Sequence, residues 1–252
     1  MLCSSCRKLL LLLFGLVSLN LARAQYELPD EIFHRTLLMR NGDELSTGFK
    51  FDQGNRVYLV TARHFAKNLP LRNAVVQVWH GNWIDLPTVR TLFPASKDVD
   101  LAIFETDQTI EAPYKVVRSS EVVTTGQKVW YMGWVAPFPR PRLPANMPDT
   151  SRPVFPEIPS VVTVGTIVAI DPTRPDSFGI PVKGGYNLRI APGPIVYWSP
   201  VHKDYELLGV IVPDERHAEV SSISGIVPQE VVRTNLMRAY SIDTLLDAIL
   251  GK

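Results

Sequence analysis

The chain has 252 residues and a formal charge of +1, with 26 lysines and arginines against 25 acidic residues. Hydrophobic residues make up 46% of it and charged residues 20%, which are ordinary values for a globular protein. A chain so close to neutral has no electrostatic footprint for nucleic acid or for an anionic membrane surface, so we expect neither as a partner.

Residues 1–24 have the layout of a secretory signal peptide. Arg7-Lys8 forms a short basic region, the run from Leu9 to Leu19 is almost entirely apolar, and Ala22-Arg23-Ala24 supplies an A-x-A cleavage site. The apolar run is shorter than the roughly 20 residues that a membrane-spanning helix needs. We therefore expect an exported, periplasmic or extracellular protein whose mature form begins near Gln25, without stable membrane insertion. An N-terminal membrane anchor is the alternative.

Both cysteines, Cys3 and Cys6, fall within this leader. The mature chain would therefore have no disulfide and no thiolate metal site, and its stability would depend on its core. Its 23 basic and 25 acidic residues give a formal charge of −2. Export without cysteines fits a bacterial periplasmic or extracellular protein better than a disulfide-stabilised one.

From Leu45 onward the chain consists of short β-type runs separated by turn residues. Each run is rich in Val, Ile, Tyr, Phe or Trp and is bounded by Gly, Pro, Asn or Asp. The predicted strands are Thr47–Phe51, Arg56–Thr61, Val75–Trp79, Leu101–Glu105, Lys128–Trp134, Val161–Ile170, Pro194–Trp198 and Glu206–Val212. Many short strands without intervening helices predict an all-β barrel or sandwich.

Residues 137–159 contain eight prolines. Because proline fixes φ and lacks a backbone N–H, this segment is predicted to be an extended surface loop, either a stiff connector or a binding surface.

Helical spacing occurs only at the end of the chain. Val232, Leu236 and Tyr240 are four residues apart, and the same interval recurs after Ser241, a candidate N-cap. We predict a C-terminal helix at about residues 229–250. Packing on the β-structure is the simpler role for this helix, and binding a partner is the alternative.

Two residues next to predicted strands could carry chemistry. His64 ends the β-type run Tyr58–His64, and Asp100 immediately precedes the apolar run Leu101–Phe104. A histidine paired with a carboxylate is what general-base catalysis needs, because the carboxylate fixes the tautomer and stabilises the imidazolium. Taken alone, the histidine is more often a structural residue and the aspartate more often a turn cap, and sequence spacing does not show that they meet.

The residues around these two positions resemble the trypsin-like serine proteases over about residues 44–228. Thr61-Ala62-Arg63-His64 is similar to that family's Thr-Ala-Ala-His signature, and Ser46-Thr47-Gly48-Phe49 resembles the turn that precedes it. Asp100-Leu-Ala-Ile resembles the Asp-Ile-Ala-Leu element. The resemblance implies two six-stranded antiparallel β-barrels, at about residues 30–120 and 121–228, with His64 and Asp100 as members of a triad in the cleft between them.

The third block of the family, Gly-Asp-Ser-Gly-Gly-Pro, is matched by Arg189-Ile190-Ala191-Pro192-Gly193-Pro194. The resemblance makes Ala191 the replacement for the nucleophilic serine, and alanine has no nucleophilic atom. Arg189 would stand where a glycine supplies half of the oxyanion hole, and its side chain disfavours the strained backbone that glycine accepts. Losses at neighbouring positions indicate natural degeneration rather than a single engineered substitution.

The sequence therefore predicts a catalytically inactive trypsin-like homologue that binds a peptide or protein partner. An active serine endopeptidase is the alternative, with a nucleophile drawn from Ser199, Ser221, Ser222 or Ser224, none of which has a Gly-x-Ser-Gly-Gly context. A purely structural exported domain is the third possibility.

We expect no metal or cofactor. His34, His80, His202 and His217 show no i,i+4 or paired-acid pattern, and no phosphate-binding loop or dinucleotide fingerprint is present.

Overall fold

A computed structural model of the chain describes residues 28–108, 112–116, 123–134, 160–170, 177–181, 192–211 and 236–251. Over these ranges the chain forms fifteen strands and two helices. In chain order they are α1 (Asp30–Phe33), β1 (Thr36–Asn41), β2 (Glu44–Gln53), β3 (Arg56–Thr61), β4 (Val75–Trp79), β5 (Trp83–Pro87), β6 (Arg90–Leu92), β7 (Ala102–Thr106), β8 (Lys115–Val116), β9 (Lys128–Trp134), β10 (Ser160–Thr166), β11 (Ala169–Ile170), β12 (Ser177–Pro181), β13 (Gly193–Ser199), β14 (Asp204–Ile211), β15 (Leu236–Ser241) and α2 (Ile242–Leu250).

The first sheet contains strands β1 to β7 in the order β5-β4-β1-β2-β3-β7-β6, and its pairings are antiparallel. Strands β2 and β3 join through Gly54-Asn55, whose φ angles are 59° and 63°. Two successive positive φ values are what a two-residue type I′ hairpin requires, because its twist matches that of the strands. This hairpin sets the register between β2 and β3, and so determines where the residues after β3 lie.

The second sheet has the order β10-β9-β13-β14-β15-β12-β11, with the short strand β8 parallel to β14. Strands β6, β8 and β11 have only two or three residues. Without them, each sheet has six strands of five residues or more. The fold is therefore all-β, with two antiparallel barrel-like sheets and a C-terminal helix. This confirms the predicted fold class.

The C-terminal helix is shorter than predicted. It begins at Ile242, whereas Leu236–Ser241 forms strand β15 between β12 and β14. Within β15 both Ala239 and Tyr240 are buried, so apolar residues occupy both faces and produce a spacing that resembles a helix. The second sheet accordingly extends past residue 228, to Ser241. Tertiary pairing has overridden the local pattern here.

A hydrophobic cluster joins the two sheets and the helix. Phe49 and Phe51 enter it from the first sheet, Met132 and Val210 from the second, and Leu245 from α2. All five are fully buried. Polar contacts add to this junction, since Thr47 Oγ1 accepts the Trp134 backbone N–H at 2.9 Å. The two sheets therefore share one core, to which α2 adds side chains while it packs against β14 and β15 of the second sheet.

Neither helix in the described parts of the chain is long and apolar enough to cross a membrane. The predicted leader at 1–24 and the proline-rich segment at 137–159 lie outside the described residues.

Candidate functional site

His64 and Asp100 are brought together by two neighbouring strands. Strand β3 ends at Thr61 and β7 begins at Ala102, and these two residues are directly paired across the ladder. The segment after β3, which carries His64, therefore runs beside the segment before β7, which carries Asp100. These two residues are 36 positions apart in the sequence.

Asp100 holds His64 by both of its carboxylate oxygens. Oδ2 lies 2.6 Å from His64 Nδ1, and Oδ1 accepts the His64 backbone N–H at 3.0 Å. One contact orients the ring and the other fixes the main chain that carries it. With Nδ1 donating to the carboxylate, Nε2 is the ring nitrogen directed away from Asp100.

The end of β3 is fixed by polar contacts. The Thr61 hydroxyl donates to the Thr47 carbonyl and lies 2.9 Å from Ser46 Oγ. The chain then enters a turn in which Ala66 N–H bonds to the Arg63 carbonyl and Lys67 N–H to the His64 carbonyl. Arg63 and His64 precede Lys67 by four and three residues, so each of their side chains can approach that of Lys67 across the turn.

Glu44 is a charged neighbour of His64 that the sequence analysis missed. Its Oε1 lies 3.8 Å from His64 Nε2, on the side of the ring opposite Asp100. Glu44 begins β2, which pairs with β3, and no sequence motif marks it. The His64 side chain is 54% exposed, so the imidazole is accessible beside both carboxylates.

A cavity of about 620 Å³ opens beside the His64–Asp100 pair, and both residues line it. The rest of its wall consists of Arg63, Lys67, Phe93, Pro94, Ala95 and Lys97. Of the residues that the structure describes, three cationic ones and one acidic one, Asp100, line this cavity. No sequence signal identified this concentration of positive charge, because it combines the turn after β3 with the segment before β7.

The third block lies mostly outside the described residues. Arg189, Ile190 and Ala191 belong to the undescribed range, as do Ser221, Ser222 and Ser224. Pro192 is the first residue of the block that the structure describes. Gly193 begins β13, which pairs with β9 and β14.

No protein-family model matches the chain, and no curated protein is similar to it.

A second polar cluster corrects the sequence analysis. His202 does have an acidic partner four residues away, because its Nδ1 bonds to Glu206 across the β13–β14 hairpin. Glu206 is buried and also accepts the Tyr197 hydroxyl at 2.7 Å. The prediction overlooked this pair because a spacing of four residues was considered only for helices. In this hairpin the same spacing brings His202, at the tip, next to Glu206 on the returning strand.

Ser199, one of the alternative nucleophiles, belongs to this same cluster. Its Oγ accepts the His202 backbone N–H at 3.3 Å, and its side chain is buried at the end of β13. Both Ser199 and Glu206 approach the same ring nitrogen, Nδ1 of His202. That arrangement differs from a catalytic triad, in which acid and nucleophile bind opposite ring nitrogens.

Among the residues that the structure describes, no group of three or more His, Cys, Asp or Glu side chains is placed to hold a metal ion.

Proposed function

We propose that this protein is an exported homologue of the trypsin-like serine proteases that has lost catalysis and binds a peptide or protein segment. The observation that carries the proposal is the double contact between Asp100 and His64, at 2.6 Å and 3.0 Å. A buried or half-buried acid that orients an exposed histidine in this way is the support that a general base needs.

The fold is the second support for the proposal. Two antiparallel barrel-like sheets, with the His–Asp pair on the first, agree with the architecture that the motif resemblance implies. The proposal of inactivity comes from the sequence, where Ala191 stands at the serine position of the motif. Loss of the nucleophile in a serine protease costs about 10⁶ in kcat.

An active serine endopeptidase is the competing function. It would need a nucleophile outside the third block, and Ser199 is the candidate in the described part of the chain. Its hydroxyl contacts His202, which weakens this alternative. A fluorophosphonate probe, which labels activated serines, distinguishes the two functions. We expect no labelling of the purified mature protein, and labelling that is lost in Ser199→Ala would establish the competing function.

The proposal is tested by rebuilding the third block. We compare Ala191→Ser with replacement of residues 189–192 by Gly-Asp-Ser-Gly, using peptide esters and casein as substrates. We expect no turnover from the single change, because Arg189 and Pro192 leave the oxyanion without a full set of donors. Each missing donor costs roughly 10²–10³ in kcat. The block replacement is expected to hydrolyse the esters.

His64→Ala in the block-replaced protein is the matched control, and it should abolish the restored turnover. Turnover that survives this change would show that His64 is not the base. A block-replaced protein that folds normally by circular dichroism and yet shows no turnover would contradict the assignment of residues 189–192. If Ala191→Ser alone matches the block, the oxyanion argument is wrong and only the nucleophile was lost.

A further inference from the structure

The cavity beside His64 has an excess of positive charge that the proposed function does not explain. Among the described residues Arg63, Lys67 and Lys97 line it, and Asp100 is the one carboxylate in that lining, while Glu44 lies beyond it on the far side of the His64 ring. Asp100 is already engaged by two hydrogen bonds to His64. Neither Lys67 nor Lys97 has a carboxylate within ion-pairing distance among the described residues.

Arg63 is held in place by uncharged groups. One of its terminal nitrogens donates to the Pro94 carbonyl at 2.7 Å, and its guanidinium lies 5.2 Å from the centre of the Phe93 ring. Its Nε is buried without an acceptor in the described part of the chain. These contacts fix the orientation of the guanidinium, and none of the described residues that make them carries a negative charge. A guanidinium in that state is prepared to pair with a carboxylate.

The charge is local to this cavity. The whole chain carries +1, so three cations around one opening do not reflect a generally basic protein. An opening of about 620 Å³ lies in the range of sites that enclose small ligands or short segments of a larger one. A nucleic acid would need a basic stripe along the surface, which a nearly neutral chain does not supply.

We propose that this cavity selects peptide segments with an Asp or Glu side chain, which it receives between Arg63, Lys67 and Lys97. This inference depends on the proposed function, since it names the class of segment that the His64 site binds. Phe93 and Pro94 supply apolar contact for the methylene part of the acidic residue, and the three cations surround its carboxylate.

The test is a selection from a random nonapeptide library displayed on phage, using the mature wild-type protein. Synthetic pairs of the enriched peptides, differing only by Glu→Gln at the selected position, are then titrated by fluorescence anisotropy. We expect Asp and Glu to be enriched at one position and the Gln peptide to have a Kd about tenfold higher. Hydrogen bonds to a charged group are more favourable in free energy than neutral ones, by an amount that corresponds to about tenfold in Kd. The difference should shrink as salt is raised.

Lys67→Met and Lys97→Met remove the charges while keeping long apolar side chains. Both residues are exposed, so the variants should fold. We expect the double variant to lose the preference for Glu over Gln. Lys115→Met is the matched control, because Lys115 is an exposed lysine that pairs with Asp204 beside the second sheet. The control should keep the preference.

The outcomes separate the two proposals. Enriched peptides without an acidic position, or a Glu preference that survives in the double variant, would overturn the acidic selectivity and leave peptide binding intact. Loss of the preference in Lys115→Met as well would show a general charge effect and would also overturn it. Failure to enrich any peptide would overturn both proposals. A single-stranded oligonucleotide that binds more tightly than the Glu peptides, with the same dependence on Lys67 and Lys97, would assign the cavity to nucleic acid instead.

Discussion

Tyr114 shows how a single polar atom is accommodated in the shared core. Its side chain is fully buried, and its hydroxyl donates to the Ile32 carbonyl at 2.8 Å. The same oxygen lies 3.0 Å from Thr36 Oγ1. Burial raises the pKa of Tyr114 far above its ordinary value, so the hydroxyl stays protonated and keeps donating. This hydroxyl therefore adds a polar link between the N-terminal helix α1 and the core, beside the packing of Ile32 and Phe33.

Tyr114→Phe should therefore lower the free energy of unfolding by about 1 kcal/mol, because it removes one buried hydrogen bond while the Ile32 carbonyl keeps the Arg35 backbone N–H at 3.3 Å. Urea denaturation followed by tryptophan fluorescence measures the change. Tyr205→Phe is the control, since the Tyr205 hydroxyl makes no hydrogen bond among the described residues, and its ring contacts with Trp130 are retained. Equal losses in the two variants would contradict the hydrogen-bond argument.

At the site, the sequence identified residues that belong to a motif and missed those that the fold assembles. His64 and Asp100 were found because each follows or precedes a strand within a recognisable pattern. Glu44 and Lys97 carry no such pattern, and they reach the site through pairing between β2 and β3 and through the segment that enters β7. Proximity of this kind depends on the register of the sheet, which spacing along the chain does not encode.

At the scale of elements, the strands with a clear β-type composition were predicted well. The predicted ranges Arg56–Thr61, Val75–Trp79 and Lys128–Trp134 coincide with β3, β4 and β9. Strand β1 was missed because four successive residues in it are buried, which removes the alternation of apolar and polar residues. Strand β15 was mistaken for helix for the same physical reason.

Ser241 stands at the junction of β15 and α2. It occupies the N-cap position with extended backbone, as the sequence predicted, but its hydroxyl makes no capping hydrogen bond. Its Oγ is buried and has no partner among the described residues. The backbone geometry of β15, rather than a side-chain cap, therefore determines where the helix begins.

Ser241→Ala should leave the free energy of unfolding unchanged or raise it by up to about 1 kcal/mol, because it removes a buried hydroxyl that lacks a partner. If the Ser241 hydroxyl capped the helix, the same substitution would lower the free energy of unfolding by about 1 kcal/mol. Thermal and urea denaturation measure the difference. Ser199→Ala is the matched control: Ser199 is equally buried but accepts the His202 N–H, so this variant should be destabilised. A loss of stability in Ser241→Ala would refute the account.

At the scale of the whole molecule, buried tyrosines make stability depend on alkaline pH. Burial raises the pKa of Tyr131 and Tyr205, and burial together with the hydrogen bond to Glu206 raises the pKa of Tyr197 to about 12. The folded state therefore holds these protons more tightly than the unfolded chain, in which tyrosine titrates near pH 10. Their contribution is present below about pH 10 and is lost as pH rises towards 12.

We accordingly expect the free energy of unfolding to fall between about pH 10 and pH 12. Tyr197→Phe should reduce the steepness of this fall, after correction for the stability it loses at neutral pH. Urea denaturation at several pH values gives the slope, and absorbance at the tyrosinate band follows the titration itself. A wild-type protein whose stability is constant up to pH 11 would contradict the expectation.

The contact between His64 and Asp100 has a consequence for how such a protein evolves. Both residues lie at the ends of strands of one sheet, and Asp100 binds the main chain of His64 as well as its ring. The pair therefore fastens two loops together whether or not any reaction occurs beside it. Selection for folding alone is enough to retain it after selection for turnover has ended. If the chain descends from an active protease, as proposed above, the structural role of this contact would be enough to preserve the histidine and the aspartate.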